Sequence, residues 1–251
     1  MAYTVENLFA DLFVVLIAYL YVLIAIFVPL ILKKKQKISK FAARKVVHSF
    51  AGLTALTAPF YVWPFWPTII AGSLTILVYF SSKESKVKQL KELYDAIGEQ
   101  QEEKAGRLMG PLFYCLSITI LVTIFAIFAP NQMYFPIAGI LIMIFADTLA
   151  SVVGKRWGKI SISLSWTNSH RTLEGSLTFL GCAFLLCILS FSIFGLIIPN
   201  IQTPLTLETI LIYALITSLI ATVIELISPS TYDDLTVPLG STLIIYLLTL
   251  I

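Results

Sequence analysis

Apolar residues come in long blocks along this chain, separated by short polar stretches. Read in order, the blocks predict about eight transmembrane helices, at approximately 8–32, 46–62, 65–82, 108–129, 133–153, 173–198, 208–227 and 235–251. Most approach the ~20 residues needed to cross a bilayer as helix. The expected fold class is all-α: a polytopic integral membrane protein with one transmembrane domain over 1–251. The second and third blocks share APFYVWPFWP, residues 58–67, whose prolines and aromatic rings suit a tight turn at the membrane interface. One long polar stretch, 83–107, interrupts the pattern as a polar or amphipathic cytoplasmic loop. It reads either as a solvated connector or as a gate over a cytoplasmic site.

Composition removes the soluble alternative. Hydrophobic residues make up 58% of the chain and charged residues 12%, with a mean hydropathy of +0.92; a soluble domain carries about 25% charged residues. Cys115, Cys182 and Cys187 lie inside apolar blocks without CxxC or Cys/His spacing, which excludes a disulfide framework and a zinc site. The first block is too long for a signal-peptide core and has no basic leader, and no Arg-rich transit peptide precedes it. A cell membrane of prokaryotic type is expected in preference to the endoplasmic reticulum, with no nucleic-acid partner.

Charge then orients the spans. Seven cations lie between the first and second spans, six between the third and fourth, and four between the fifth and sixth, which accounts for all 17 Lys and Arg residues. With eight spans these three connections share one face, and the positive-inside rule makes it cytoplasmic, with both termini outside.

Ionisable residues within spans are costly and mark functional candidates. They are His48 near the start of span two, Asp147 in span five, Glu174 at the start of span six and Glu225 near the end of span seven. Asp233 and Asp234 follow at the entry to span eight, and all six fall toward the cytoplasmic ends of their spans. In DTLASVVGKRWGK, residues 147–159, Asp147, Ser151 and Gly154 share one helical face. Gly154 and Gly158 fit close helix packing or the approach of a phosphate to the backbone. Lys155, Arg156, Lys159 and Arg171 fit either topology and lipid contacts or a polyphosphate clamp, whose metal would take hard oxygens from Asp147, Glu225, Asp233 and Asp234. In RTLEGS, residues 171–176, Thr172 is placed to cap a helix whose N-terminus favours phosphate, next to Gly175. Arg44 and Lys45 flank His48 at helical spacing, as phosphate contacts or proton-transfer partners.

Four stretches together resemble the dolichol kinase/phytol kinase family of CTP-dependent lipid kinases: RKVVH (44–48), GRLMGPLFY (106–114), DTLASVVGKRWGK with RTLEGS, and ELISPSTYDDLTVPL (225–239). They occur in the family's order over nearly the whole chain. Carried over residue by residue, the resemblance falls on Arg44, Lys45, His48, Asp147, Gly154, Gly158, Glu174, Gly175, Glu225, Asp233 and Pro238. It departs at Asp234, where the family usually has Asn, and at Arg171, where it often has Lys. The middle motifs also resemble the CDP-diacylglycerol synthases, another CTP-using group. RKVVH and the short chain favour the kinase over that cytidylyltransferase, and a diacylglycerol kinase of the same family stays an alternative. A transporter is disfavoured because no internal repeat is present and the charges cluster toward one face.

The resemblance implies transfer of the CTP γ-phosphoryl to the primary hydroxyl of a long isoprenoid alcohol held in the bilayer. It implies Mg²⁺ on Asp147 with Asp233 or Asp234. The triphosphate would lie on Arg44, Lys45, Ser151, Gly154, Lys155, Arg156, Gly158, Lys159, Arg171 and Gly175. Glu174 and Glu225 would support the site, and His48 and Asp147 are rival bases for the alcohol. The acceptor's identity and the oligomeric state are not legible in the sequence.

Overall fold

The computed structural model describes residues 3–98, 102, 105–167, 171–198, 200–229 and 232–250. The chain forms two compact units, Met1–Ala126 and Ile127–Ile251. Nine α-helices lie among the described residues. The first unit contains α1 (Val5–Lys34), α2 (Lys40–Gly52), α3 (Trp66–Phe80), α4 (Lys88–Ile97) and most of α5 (Met109–Phe128). The second contains α6 (Tyr134–Trp157), α7 (Leu173–Ile197), α8 (Leu207–Ile227) and α9 (Asp233–Leu248). The protein is an all-α, multi-pass membrane protein. Among the described residues, five helices are long and apolar enough to span a bilayer: α1, α5, α6, α7 and α8. The predicted third and eighth spans are the shorter helices α3 and α9. The predicted second span is divided: α2 begins at Lys40 because Ser39 Oγ accepts the Ala42 N–H at 3.1 Å, and beyond Gly52 the chain tightens into a 3₁₀ helix over Leu53–Phe60.

Polar side chains fix the ends of the other elements in the same way. Thr4, Thr172 and Thr206 cap α1, α7 and α8 with their hydroxyls. After α1, Gln36 turns the chain at φ 57, the left-handed conformation that ends many helices.

Asp11 makes the APFYVWPFWP turn possible. It is a buried carboxylate inside the first span, where an isolated charge would be expensive. Its two oxygens accept the backbone N–H groups of Val62 (2.8 Å) and Trp63 (2.9 Å), and Tyr3 donates its hydroxyl at 2.7 Å. The turn's orphan donors and the carboxylate thus satisfy one another. Replacing Asp11 with Ala is expected to lower stability by about 1–3 kcal/mol, since two backbone N–H groups and the Tyr3 hydroxyl lose their acceptor. Thermal unfolding in detergent reads this directly.

In the 83–107 stretch, α4 turns Leu93, Tyr94, Ala96 and Ile97 inward, where they pack with Leu108 and with Ile26, Val47 and Leu77. Within this stretch α4 is therefore an amphipathic helix packed on the first unit; residues 99–101 and 103–104 lie outside the described residues.

In the second unit, α7 packs against α6 and α8, and α9 packs against α8 and α6. Tyr134, Phe135, Phe191, Tyr213 and Tyr246 form an aromatic core with ring centroids 4.8–6.4 Å apart.

Candidate active site

The second unit gathers carboxylates from three helices. Asp147 on α6, Glu225 near the end of α8, and Asp233 and Asp234 at the start of α9 line one small cavity, with Met143, Phe179 and Val237 as apolar walls. Local backbone structure presents Asp147 there. The chain leaves α-helical geometry for one π-helical turn over Ile142–Ala146, and the Asp147 N–H bonds back five residues to the Ile142 carbonyl. Such insertions shift the helical phase and recur at functional sites.

Arg171 ties two of these carboxylates together through ion pairs. Its Nε lies 2.5 Å from Glu225 Oε1 and its Nη2 3.6 Å from Asp233 Oδ2. Its Nη1 donates to the carbonyls of Leu226 (3.1 Å) and Ser228 (2.8 Å). The Arg171 and Glu225 side chains are only 11% and 10% exposed. One guanidinium therefore ties the end of α8 to the start of α9, consuming most of the donors that a triphosphate would use.

Arg171 is held there by a small clip. Ser161–Ile162 pairs antiparallel with Arg171–Thr172, and the Glu174 carboxylate accepts the N–H groups of Lys159 (3.0 Å) and Ile160 (3.4 Å). Glu174 thus closes the turn that follows α6. The glycines serve the same junction. A Cβ on Gly154 would lie 2.9 Å from Thr172 Oγ1, one on Gly158 2.5 Å from Thr172 Cγ2, and one on Gly175 3.1 Å from the Ala150 carbonyl. Of the two readings the sequence left open, this geometry is that of close packing between α6 and α7. Ser151 Oγ donates to the Thr148 carbonyl at 2.9 Å. Lys155, Arg156 and Lys159 are exposed at the end of α6, with Arg156 4.9 Å above the Trp157 ring.

In the first unit, His48 and Arg44 lie one turn apart on α2 and line a second, largely apolar cavity. The His48 ring is 4.1 Å from that of Tyr114, whose hydroxyl donates to the His48 carbonyl at 2.6 Å. Arg44 is ion-paired with Glu102 and donates to the Ile97 carbonyl at 3.1 Å; Glu102 also accepts the Gly110 N–H at 2.8 Å. Lys45 is half-buried on α2.

Sequence reasoning missed Asp11, whose lone charge in the first apolar block was a readable signal. It also missed Glu102 as the partner of Arg44, for which no local pattern exists.

The donor set in the second unit suits a magnesium ion. Glu225 Oε2 is buried without a hydrogen-bond partner among the described residues, beside three further carboxylates. No group of three or more His, Cys, Asp or Glu residues among those described is arranged to hold a metal by itself. A nucleotide-borne Mg²⁺ does not require one, because it uses one or two carboxylates with phosphate and water oxygens.

These features define an all-α, multi-pass membrane protein whose second unit gathers four carboxylates where its helices end. A phytol kinase from Synechocystis sp. is 32% identical over 207 residues, covering 80% of this chain and 76% of that protein. A dolichol kinase from Saccharomyces cerevisiae is 31% identical over 185 residues, covering 73% of this chain; the chain spans about a third (34%) of that longer relative. No protein-family model and no solved structure matches the chain. The chain belongs to the polyprenol kinase family that includes phytol kinase and dolichol kinase.

Proposed function

We propose that this protein is a CTP-dependent kinase that moves the γ-phosphoryl of CTP to the primary hydroxyl of an isoprenoid alcohol of the polyprenol, dolichol, phytol or geranylgeraniol type. Family membership supports the kinase chemistry and the alcohol class, and the motif resemblance supports CTP. The observation that carries the site assignment is the gathering of Asp147, Glu225, Asp233 and Asp234 around one cavity.

The alcohol oxygen attacks the γ-phosphorus, the bond to the β–γ bridging oxygen breaks, and CDP leaves. Phosphoryl transfer asks the protein for positioning and charge neutralisation. Asp147, Asp233 and Asp234 would hold Mg²⁺, which offsets the charge of the phosphates. Lys155, Arg156 and Lys159, exposed at the end of α6, draw in the triphosphate electrostatically. Arg171 and Glu225 keep the ends of α8 and α9 in place, so that Asp233 stays aimed at the cavity. Glu174 holds the turn that presents the α6 cations. The sequence offers Asp147 and His48 as bases for the alcohol proton; of the two, Asp147 lines the carboxylate cavity. The concentration of all 17 Lys and Arg residues in three connections supports a site on the cytoplasmic face of a prokaryotic-type cell membrane.

The test is purified protein with γ-labelled CTP, Mg²⁺ and a panel of polyprenols, phytol, geranylgeraniol and diacylglycerol. Label in an isoprenyl phosphate is the expected result. Label only in diacylglycerol, or CMP joined to lipid with release of pyrophosphate, overturns the reading.

A further inference from the structure

We propose that the lysine-rich surface formed by the end of α1, the turn after it and the outer face of α4 is a docking site for anionic phospholipid headgroups. It lies wholly within the first unit and does not depend on the kinase reading.

Charge here is one-sided. From Leu12 to Lys83 the chain contains eight cations and no Asp or Glu. α4 adds its own charges to this surface, because its inner face packs on α1 and α2. Lys33 Nζ donates to the Asp95 carbonyl at 3.2 Å, and Lys34 pairs with Glu92 at 3.6 Å. Lys88, Lys91, Glu92 and Asp95 recur at helical spacing along the exposed face of α4. Lys33, Lys34, Lys35, Lys37, Lys88 and Lys91 therefore share a surface to which these elements bring two acids, Glu92 and Asp95. Lys35, Lys37, Lys88 and Lys91 are exposed and make no ion pair among the described residues.

Depth in the bilayer makes the partner a headgroup and not a free anion. α1 has 30 residues, so it runs ~45 Å, the full thickness of a bilayer with its headgroup layers. Its last turn, which carries Lys33 and Lys34, therefore emerges among the headgroups. Exposed Ile31, Phe41 and Val87 border the lysines, setting apolar side chains for the acyl region beside cations for the phosphates. The turn is also closed. The Gln36 N–H bonds to the Lys33 carbonyl and the Lys37 N–H to the Leu32 carbonyl, each at 2.9 Å, with Gln36 at φ 57. Orienting a span asks only for a count of charges. Lysines carried on a closed turn and a docked helix lose less freedom on meeting a ligand. A cluster of about four to eight cations directly after a span is the arrangement that holds anionic lipid.

The test uses the full-length protein in phosphatidylcholine nanodiscs that carry a minor share of diazirine-bearing phosphatidylglycerol. Photolabel is expected on peptides covering 31–41 and 87–91. Unlabelled phosphatidylglycerol is expected to compete it away, whereas phosphatidylcholine and inorganic phosphate are not. Raised salt is expected to weaken it, since exposed charges are screened. Lys35→Gln, Lys37→Gln, Lys88→Gln and Lys91→Gln combined are expected to cut the label by at least about tenfold. Thermal unfolding is expected to hold, because all four positions are exposed. The same four positions changed to Arg, which keeps the charge, are expected to keep the label. Equal competition by phosphatidylcholine reduces the surface to ordinary bilayer contact and overturns the proposal. Competition by inorganic phosphate or CTP makes it a site for a soluble anion and overturns it as well. Label that the Gln variant leaves unmoved returns these lysines to topology alone. The competition and salt arms use the unaltered chain, so they decide the matter even if the fourfold variant melts lower.

Discussion

Asp147→Asn abolishes lipid phosphorylation, lowering kcat by at least about 10²–10³-fold, the scale of losing one preorganised electrostatic contact to a transition state. The variant still inserts and unfolds at or above the wild-type temperature. These two effects have opposite signs for a physical reason. Asp147 shares its cavity with Glu225, Asp233 and Asp234, while Arg171 pairs with Glu225 and Asp233. Removing one negative charge relieves repulsion among the remaining carboxylates. The same charge is what a Mg²⁺–triphosphate complex needs, and the isosteric amide does not replace it. Activity and melting temperature measured on one preparation decide the matter. Near-normal turnover removes Asp147 from the metal site. A loss of activity that tracks a fall in melting temperature makes its role structural.

Much of the scaffold was legible because helix ends carry local signals. Thr172 announced the start of α7, and long apolar runs announced α1, α5, α6, α7 and α8. The division of the predicted second span was legible only in part. Ser39 marks its true start, but the apolar run suggested a later one. The π-helical turn before Asp147 had no signature, since IMIFA reads like the apolar residues around it. Its position follows from how α6 packs on its neighbours. Hydropathy averaged Asp11 away within a strongly apolar block, although its burial depends on one particular turn some fifty residues later. The partners of two cations were hidden in a similar way. Charge, helical spacing and the motif resemblance make Arg44 and Arg171 candidate phosphate contacts. Their partners, Glu102 and Glu225, lie more than fifty residues away and become visible only in the folded chain.

Arg171→Met is expected to destabilise the protein by about 3–5 kcal/mol, the cost of leaving a buried charge without its partner. The variant strands Glu225, already buried with one oxygen unpartnered among the described residues, and weakens the hold on Asp233. It also removes the donor to the Leu226 and Ser228 carbonyls. Arg171→Lys keeps the charge but replaces a planar fork with a single ammonium, so its loss is intermediate. The decisive variant is the double substitution Arg171→Met with Glu225→Gln. Replacing both members of a buried pair is far milder than removing one, so the second change is expected to return part of the stability lost in the first. A coupling of about 0.5–3 kcal/mol is the range for residues in direct contact. Thermal or denaturant unfolding of the four proteins in detergent gives that number without any assay of turnover. If Arg171 served only the nucleotide, Arg171→Met would raise the CTP KM at constant stability, and Glu225→Gln would rescue nothing. A measured coupling near zero would therefore move Arg171 from a clamp on α8 and α9 to a direct triphosphate ligand.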